Sequence, residues 1–218
     1  MSVRQLIFTV ACLLFLASCI DPPVLHESFQ EAFDETYIQN GSTYKINGQW
    51  YYDAKNNRER TDRVNGRYNL FCGTVLPNVT AACTQLTVNN KRYIIYPQRK
   101  SCCFCCDSQH GCGILKRNWL DGAKFLGVEK LIDTNYNKWS KDGDISYNYY
   151  WSTIDANQIP RKLDEGGSHI TDYLTHTYIN KTFDDSYFAL PSYCNETACA
   201  ATSFCGKLRG EQNQLKFE

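Results

Sequence analysis

The sequence predicts a mainly β domain: antiparallel strands curved into a half-barrel or packed as a sandwich around a hydrophobic pocket, with one short helix and many disulfides. Three observations carry this. Fifteen Tyr, eleven Phe and four Trp against a single Met favour pleated surfaces over helical ones. Turn pairs such as Asn47-Gly48, Asn65-Gly66 and Asn89-Asn90 recur at short spacing with little helical periodicity between them. Twelve Cys in 218 residues point to an oxidised, cross-linked chain. With 43% hydrophobic residues and no low-complexity linker, the chain reads as one domain, residues 20–218, behind a leader at 1–19.

The leader comes first. Arg4, the apolar run Leu6 to Ala17 and the small-residue site Ala17-Ser18-Cys19 read as a signal peptide, because about 12 apolar residues are too few for the roughly 20 that cross a bilayer. The same Leu16-Ala17-Ser18-Cys19 fits a lipobox, which would leave Cys19 lipid-anchored. Removal of the leader leaves twenty-two basic against twenty-three acidic residues. That balance excludes binding to nucleic acid by phosphate neutralisation.

Thr43 to Asp53 reads as two short strands around Asn47-Gly48 or as one bulged strand. Arg58 to Phe71 reads as a hairpin about Asn65-Gly66, and Cys83 to Tyr96 as another about Asn89-Asn90, ended by Pro97. In residues 116–127, Trp119, Leu120, Ala123 and Phe125 fall at near-helical spacing before a Gly stop, which predicts the one helix. Val128 to Ile132, a polar turn at Asn135 to Asn137, a strand over Ile145 to Ile154, an extended piece from Pro160 and a last long strand over Tyr173 to Phe183 follow. The tail from Phe188 to Cys205 reads as disulfide-pinned coil.

Ten cysteines remain in the mature chain: Cys72, Cys83, Cys102, Cys103, Cys105, Cys106, Cys112, Cys194, Cys199 and Cys205. Disulfides are a stronger reading than zinc, since neighbours in a Cys-Cys pair turn poorly toward one ion and secreted thiols oxidise. The pairing is open. Sequons at Asn40, Asn78, Asn180 and Asn195 are glycosylation acceptors where exposed. Asp133, Asn135, Asn137 and Asp144 imitate a calcium loop, but Lys138 stands where Gly is needed and Asp144 where Glu is needed. A looser calcium contact and a solvated hairpin turn both stay open there.

No Gly-x-Ser-x-Gly and no cysteine-nucleophile signature is present, and His26, His110, His169 and His176 lie at no metal-ligand spacing. The chain therefore reads as non-enzymatic. The pocket wall is assigned, by residue type and alternation, to Trp50, Tyr52, Ile94, Tyr149, Trp151, Leu174 and Tyr178. Core and pocket residues share that signature, so two rivals to an apolar-ligand carrier stand: an adhesion or structural glycoprotein, and an enzyme whose site gathers distant carboxylates or His.

The order Trp50-Tyr-Tyr-Asp53, Asn57-Arg58-x-Arg60, a central Cys cluster, Lys138-Trp139, a Tyr-rich strand and Phe188-Ala-Leu-Pro191-Ser-Tyr-Cys194 resembles the ependymin-related family of secreted glycoproteins. The resemblance implies a lipoprotein-carrier-like fold of two antiparallel sheets around a deep hydrophobic pocket, often dimeric, extracellular or lysosomal. Lipid and calcium binding are ascribed to members, and no catalytic residue is implied. The Cys102 to Cys106 cluster departs from the pattern, with more cysteines than the family needs.

Overall fold

The computed structural model describes residues 20–143 and 147–210; the leader with Cys12 and Cys19, and also Asp144 and Ile145, lie outside the described residues. Twelve strands form a single open, curved antiparallel sheet rather than two sheets. In chain order they are β1 (Ser28–Gln39), β2 (Ser42–Asp53), β3 (Arg58–Arg63), β4 (Cys83–Val88), β5 (Lys91–Tyr96), β6 (Ser101–Asp107), β7 (Lys124–Leu131), β8 (Thr134–Asp142), β9 (Tyr147–Thr153), β10 (Pro160–Glu165), β11 (His169–Tyr173) and β12 (Ile179–Asn180). Across the sheet they run β6-β5-β4-β3-β2-β1-β11-β10-β9-β8-β7, with β12 also paired to β1. The helices α1 (Leu70–Val75) and α2 (Phe204–Leu208) are short.

The turns follow the sequence where its chemistry is strongest. Asn40-Gly41 and Asn89-Asn90 hold positive φ at both central positions, as tight hairpins with the strand's own twist require, and close β1–β2 and β4–β5. Four expectations fail. Asn47-Gly48 is not a turn: β2 runs through it unbroken, and the glycine is there because a Cβ would lie 2.1 Å from the Phe33 ring. Asn65-Gly66 opens the loop into α1, whose Asn69 side chain accepts from the Phe71 and Cys72 amides. Residues 116–127 form turns and then β7, so the helix is not there; Trp119 and Leu120 are placed by packing against Tyr150 and Trp139, not by helical periodicity. The last long strand is also broken, because the chain leaves β11 after Tyr173, makes a 3-10 turn over Thr175–Thr177 containing His176, and returns as the two-residue β12.

Register defines two faces. Phe29, Glu31, Phe33, Glu35 and Tyr37 of β1 alternate onto the inner face, which is covered by α1, α2 and the irregular segments around Leu25 and Ile114 to Leu120. On the outer face Leu86, Tyr93 and Ile95 are covered by Phe183, Tyr187, Phe188 and Tyr193 of the C-terminal segment. That segment then crosses the exposed edge of β6 through a parallel bridge, Phe104 to Ala198, and reaches the inner face as α2.

The five disulfides explain the Cys102 to Cys106 run. Adjacent strand residues point to opposite faces, so Cys102 bonds Cys194 on the outer face while Cys103 and Cys105 bond Cys199 and Cys205 on the inner one. Cys106–Cys112 and Cys72–Cys83 close short loops. The tail is thereby stitched around the sheet edge, hiding a strand that would otherwise be open to pairing. Peptide mapping without reductant is expected to return these five pairs. Removing Cys105–Cys205 while Cys103–Cys199 stays frees only the short loop between the two bonds and is expected to cost about 2–3 kcal/mol in chemical denaturation, and a loss under about 1 kcal/mol would show that the tail contributes little.

Candidate functional site

The inner face at the middle of the sheet is walled by rings. Phe29 meets Trp50 edge-on at 4.8 Å and stacks on Tyr178 at 5.1 Å, and Trp50 lies 5.6 Å from Tyr173. Tyr52, Leu25, Ile114, Leu115 and Trp119 complete this cluster, and Trp139, Tyr150 and Leu120 form the adjoining one. The cover is irregular chain held by a few polar ties: the Leu25 amide donates to the Arg117 carbonyl at 2.9 Å, Tyr52 Oη donates to the Leu115 carbonyl at 2.6 Å, and Glu59 accepts from Trp50 Nε1 and from the Leu115 amide.

Within these rings stands Glu31, opposite Trp50 in the β1–β2 register and fully buried. Neither of its carboxylate oxygens has a hydrogen-bonding partner among the described residues, and the same is true of the Tyr150 hydroxyl, the Ser152 hydroxyl and the Trp139 Nε1. Burial drives its pKa up from 4.5 to about 9, against a partial pull downward from Arg161. Tyr150, Tyr173 and Tyr178 surround it closely enough that its charge adds to the burial that raises their own pKa values. β11 ends at Tyr173 and β12 begins at Ile179, so the sheet beside Glu31 is interrupted by the turn that carries Tyr178.

The other inward carboxylate of β1 is treated oppositely. Glu35 receives both Nε and Nη2 of Arg63, at 2.6 and 2.8 Å, and lies 3.2 Å from His169 Nε2. Burial works against its charge, yet Arg63 and His169 outweigh it and hold the pKa down to about 2. His169, opposed by burial but paired with Glu165 and Glu35, is raised to about 9. This is an ionic tie in which both carboxylate oxygens are engaged, while Arg63 Nη1 has no hydrogen-bonding partner among the described residues.

Of the residues assigned to the wall, Trp50, Tyr52 and Tyr178 do meet on the inner face. Ile94 lies further along that face within the disulfide-rich cluster beside Cys105 and Cys106. Leu174 sits in the turn after β11, its amide donating to the Ala32 carbonyl. Tyr149 and Trp151 belong to the outer face, where Lys138 and Lys162 stack on Trp151 at 4.8 and 5.0 Å. A one-residue offset in a strand exchanges faces, and the inward ring of β9 is Tyr150 between them. Glu31, Phe29 and Phe33 were not among the assigned residues; the alternation Phe-x-Glu-x-Phe-x-Glu-x-Tyr from Phe29 to Tyr37 is the signal that marks them.

Other chemistry is bounded by the same geometry. Cys105, Cys106 and Cys112 lie close enough to share a metal, but each is in a disulfide and offers no thiolate. Asn135 and Asn137 lie in the extended strand β8 after the turn at Ile132–Asp133, so the calcium-like string does not curl into a loop over the described residues. All four sequon asparagines, Asn40, Asn78, Asn180 and Asn195, are exposed. A groove of about 450 Å³ on the outer face, lined by Gln49, Arg60, Asp62, Val64, Ala82 and Pro97 among others, lies across the sheet from the rings.

No family model matches the sequence, and no curated protein matches it. Solved structures of similar fold include an uncharacterized conserved protein from Thermus thermophilus, with a TM-score of 0.50, 6% identity and coverage of 76% of this chain and 86% of that one. They include a LolA superfamily protein from Nitrosomonas europaea, at a TM-score of 0.38, 12% identity and 75% and 90% coverage. A putative outer membrane lipoprotein-sorting protein domain from Vibrio parahaemolyticus follows at 0.36, 7% identity and 74% and 88% coverage. At that identity the likeness to the Thermus protein shows the fold alone.

Proposed function

We propose that the protein is a secreted or lumenal, non-enzymatic carrier that takes an apolar small molecule, such as a lipid, against the inner face of its sheet. One observation carries the reading: an aromatic-walled interior in which Glu31, Tyr150, Ser152 and Trp139 are buried without hydrogen-bonding partners among the described residues. Buried polar groups are nearly always satisfied, and sites that hold small molecules combine apolar walls with a few convergent polar atoms. The cover over this face is irregular chain rather than a strand or helix, tied down by Arg92, Arg117 and Lys141. Five disulfides fit a chain matured in an oxidising compartment.

Protein purified without detergent is expected to yield co-purified lipid on organic extraction and mass spectrometry. After delipidation it is expected to bind the apolar fluorophore N-phenyl-1-naphthylamine saturably. Extracts without lipid, together with no saturable fluorophore binding, would sink the carrier reading and favour a structural glycoprotein.

A further inference from the structure

The carrier reading leaves the ligand's polar end unspecified, and Glu31 addresses it. A neutral head group would be served as well by Ser, Thr, Asn or Gln, which cost far less to bury than a carboxylate. What a carboxylate adds is the ability to hold a positive charge. The surroundings are compatible with the same charge: Trp50, Phe29, Tyr173 and Tyr178 pack on one another beside Glu31, and aromatic rings attract cations over their faces. No lysine or arginine of the described residues forms an ion pair with Glu31, and Arg161, whose charge pulls its pKa down in part, is engaged by Asp172 at 2.9 Å. The pattern is a buried acid packed among aromatic rings that forms no ion pair among the described residues.

We propose, resting on the carrier reading, that Glu31 anchors the head group of a cationic amphiphile, a long-chain amine whose ammonium sits between the carboxylate and the surrounding rings while its tail lies along the inner face. The proton balance is definite. Empty Glu31 holds its proton at neutral pH, so an arriving ammonium forms the ion pair as that proton leaves to solvent, and no bond of the ligand is broken. The titratable groups around Glu31 are Tyr150 of β9, Tyr173 of β11 and Tyr178 of the following turn, with Arg161 of β10 acting on it while paired to the outward Asp172; Glu59 and His26 are hydrogen-bonded to Trp50 and Tyr178. Each tyrosine is pushed further from ionisation by its burial, which leaves Glu31 to titrate as the amine binds.

The test is displacement of N-phenyl-1-naphthylamine by dodecylamine, dodecanol and dodecanoate from the full chain. Dodecylamine is expected to compete at least about tenfold better than dodecanol at pH 7, and its advantage to grow by up to about tenfold per pH unit toward pH 9. Calorimetry in buffers of different ionisation enthalpy is expected to show about one proton released per amine bound and none for the alcohol. In Glu31→Gln, which keeps the shape of the protonated acid, the amine's advantage over the alcohol, each read against that variant's own fluorophore affinity, is expected to vanish together with its proton release. Fluorophore binding with equal displacement by amine and alcohol would overturn the anchor and leave the carrier intact. No fluorophore binding at all would overturn the carrier itself. Should Glu31→Gln not fold, proton release by the unmodified protein decides alone: release supports the anchor, and its absence ends it.

Discussion

Arg63→Met is expected to destabilise the protein by about 3–5 kcal/mol at neutral pH, because it removes the one guanidinium that grips Glu35 and leaves a buried carboxylate without it. The loss concerns the fold's centre, since Glu35 lies on β1 between β2 and β11 and Arg63 ends β3. Replacing both partners, Glu35→Leu with Arg63→Met, is expected to restore most of the stability, because the cost lies in the stranded charge rather than in the lost pair. Urea melts of the single and double variants check this. A double variant as weak as Arg63→Met would mean that the ion pair itself holds the sheet together.

The same tie gives the pH profile a definite sign. Glu35 is lowered from 4.5 to about 2, so its contribution is full above pH 4.5 and is lost as pH falls through 2. His169 is raised from 6.5 to about 9, so its contribution is full below pH 6.5 and is lost as pH rises through 9. Both are fully present between pH 4.5 and 6.5. In Arg63→Met, burial acts on Glu35 with only His169 to oppose it, so the deficit is expected to shrink as the pH is lowered and that carboxyl takes a proton.

What the sequence showed and what it hid can be traced to particular residues. The Asn89-Asn90 hairpin, the Pro97 stop and the strand through Tyr147 to Thr153 were legible because each is decided locally, by turn chemistry or β propensity. The central strand β1 was not. Two of its five inward positions are glutamates, so Phe29 to Tyr37 lacks the apolar alternation that announces a half-buried strand, and only the partners of Glu35 and the enclosure of Glu31 make it intelligible. Trp119 and Phe125 failed as helix signals for a related reason: their spacing reflects packing on Tyr150 and Trp139 across the sheet. The Cys102 to Cys106 run was legible as disulfides but not as an edge-crossing stitch, since alternation tells which face each sulfur takes and not which strand lies at the edge. Within the site, ring type was readable at Trp50, Tyr52 and Tyr178, whereas the choice between Tyr150 and Trp151 depended on register.

Glu31→Gln is expected to stabilise the protein by about 3 kcal/mol at pH 7. The unfolded chain ionises this carboxyl at its ordinary value of 4.5, while the folded chain keeps it protonated up to about 9. A raised folded-state pKa means that the associated stability is complete below pH 4.5 and drains away as pH rises to 9, at about 1.4 kcal/mol per unit. The amide copies the neutral acid and has no proton to lose, so it escapes that drain. Wild type and variant should therefore unfold alike near pH 4 and diverge steadily toward pH 9, a pattern that neither His169 nor Glu35 can produce, since both are present in each protein. Urea titrations at four pH values between 5 and 8 measure the divergence. Parallel profiles would show that Glu31 ionises normally in the folded chain and is not enclosed as described. A residue whose removal strengthens the fold is not held there for stability, which is the outcome expected if Glu31 serves the proposed binding site.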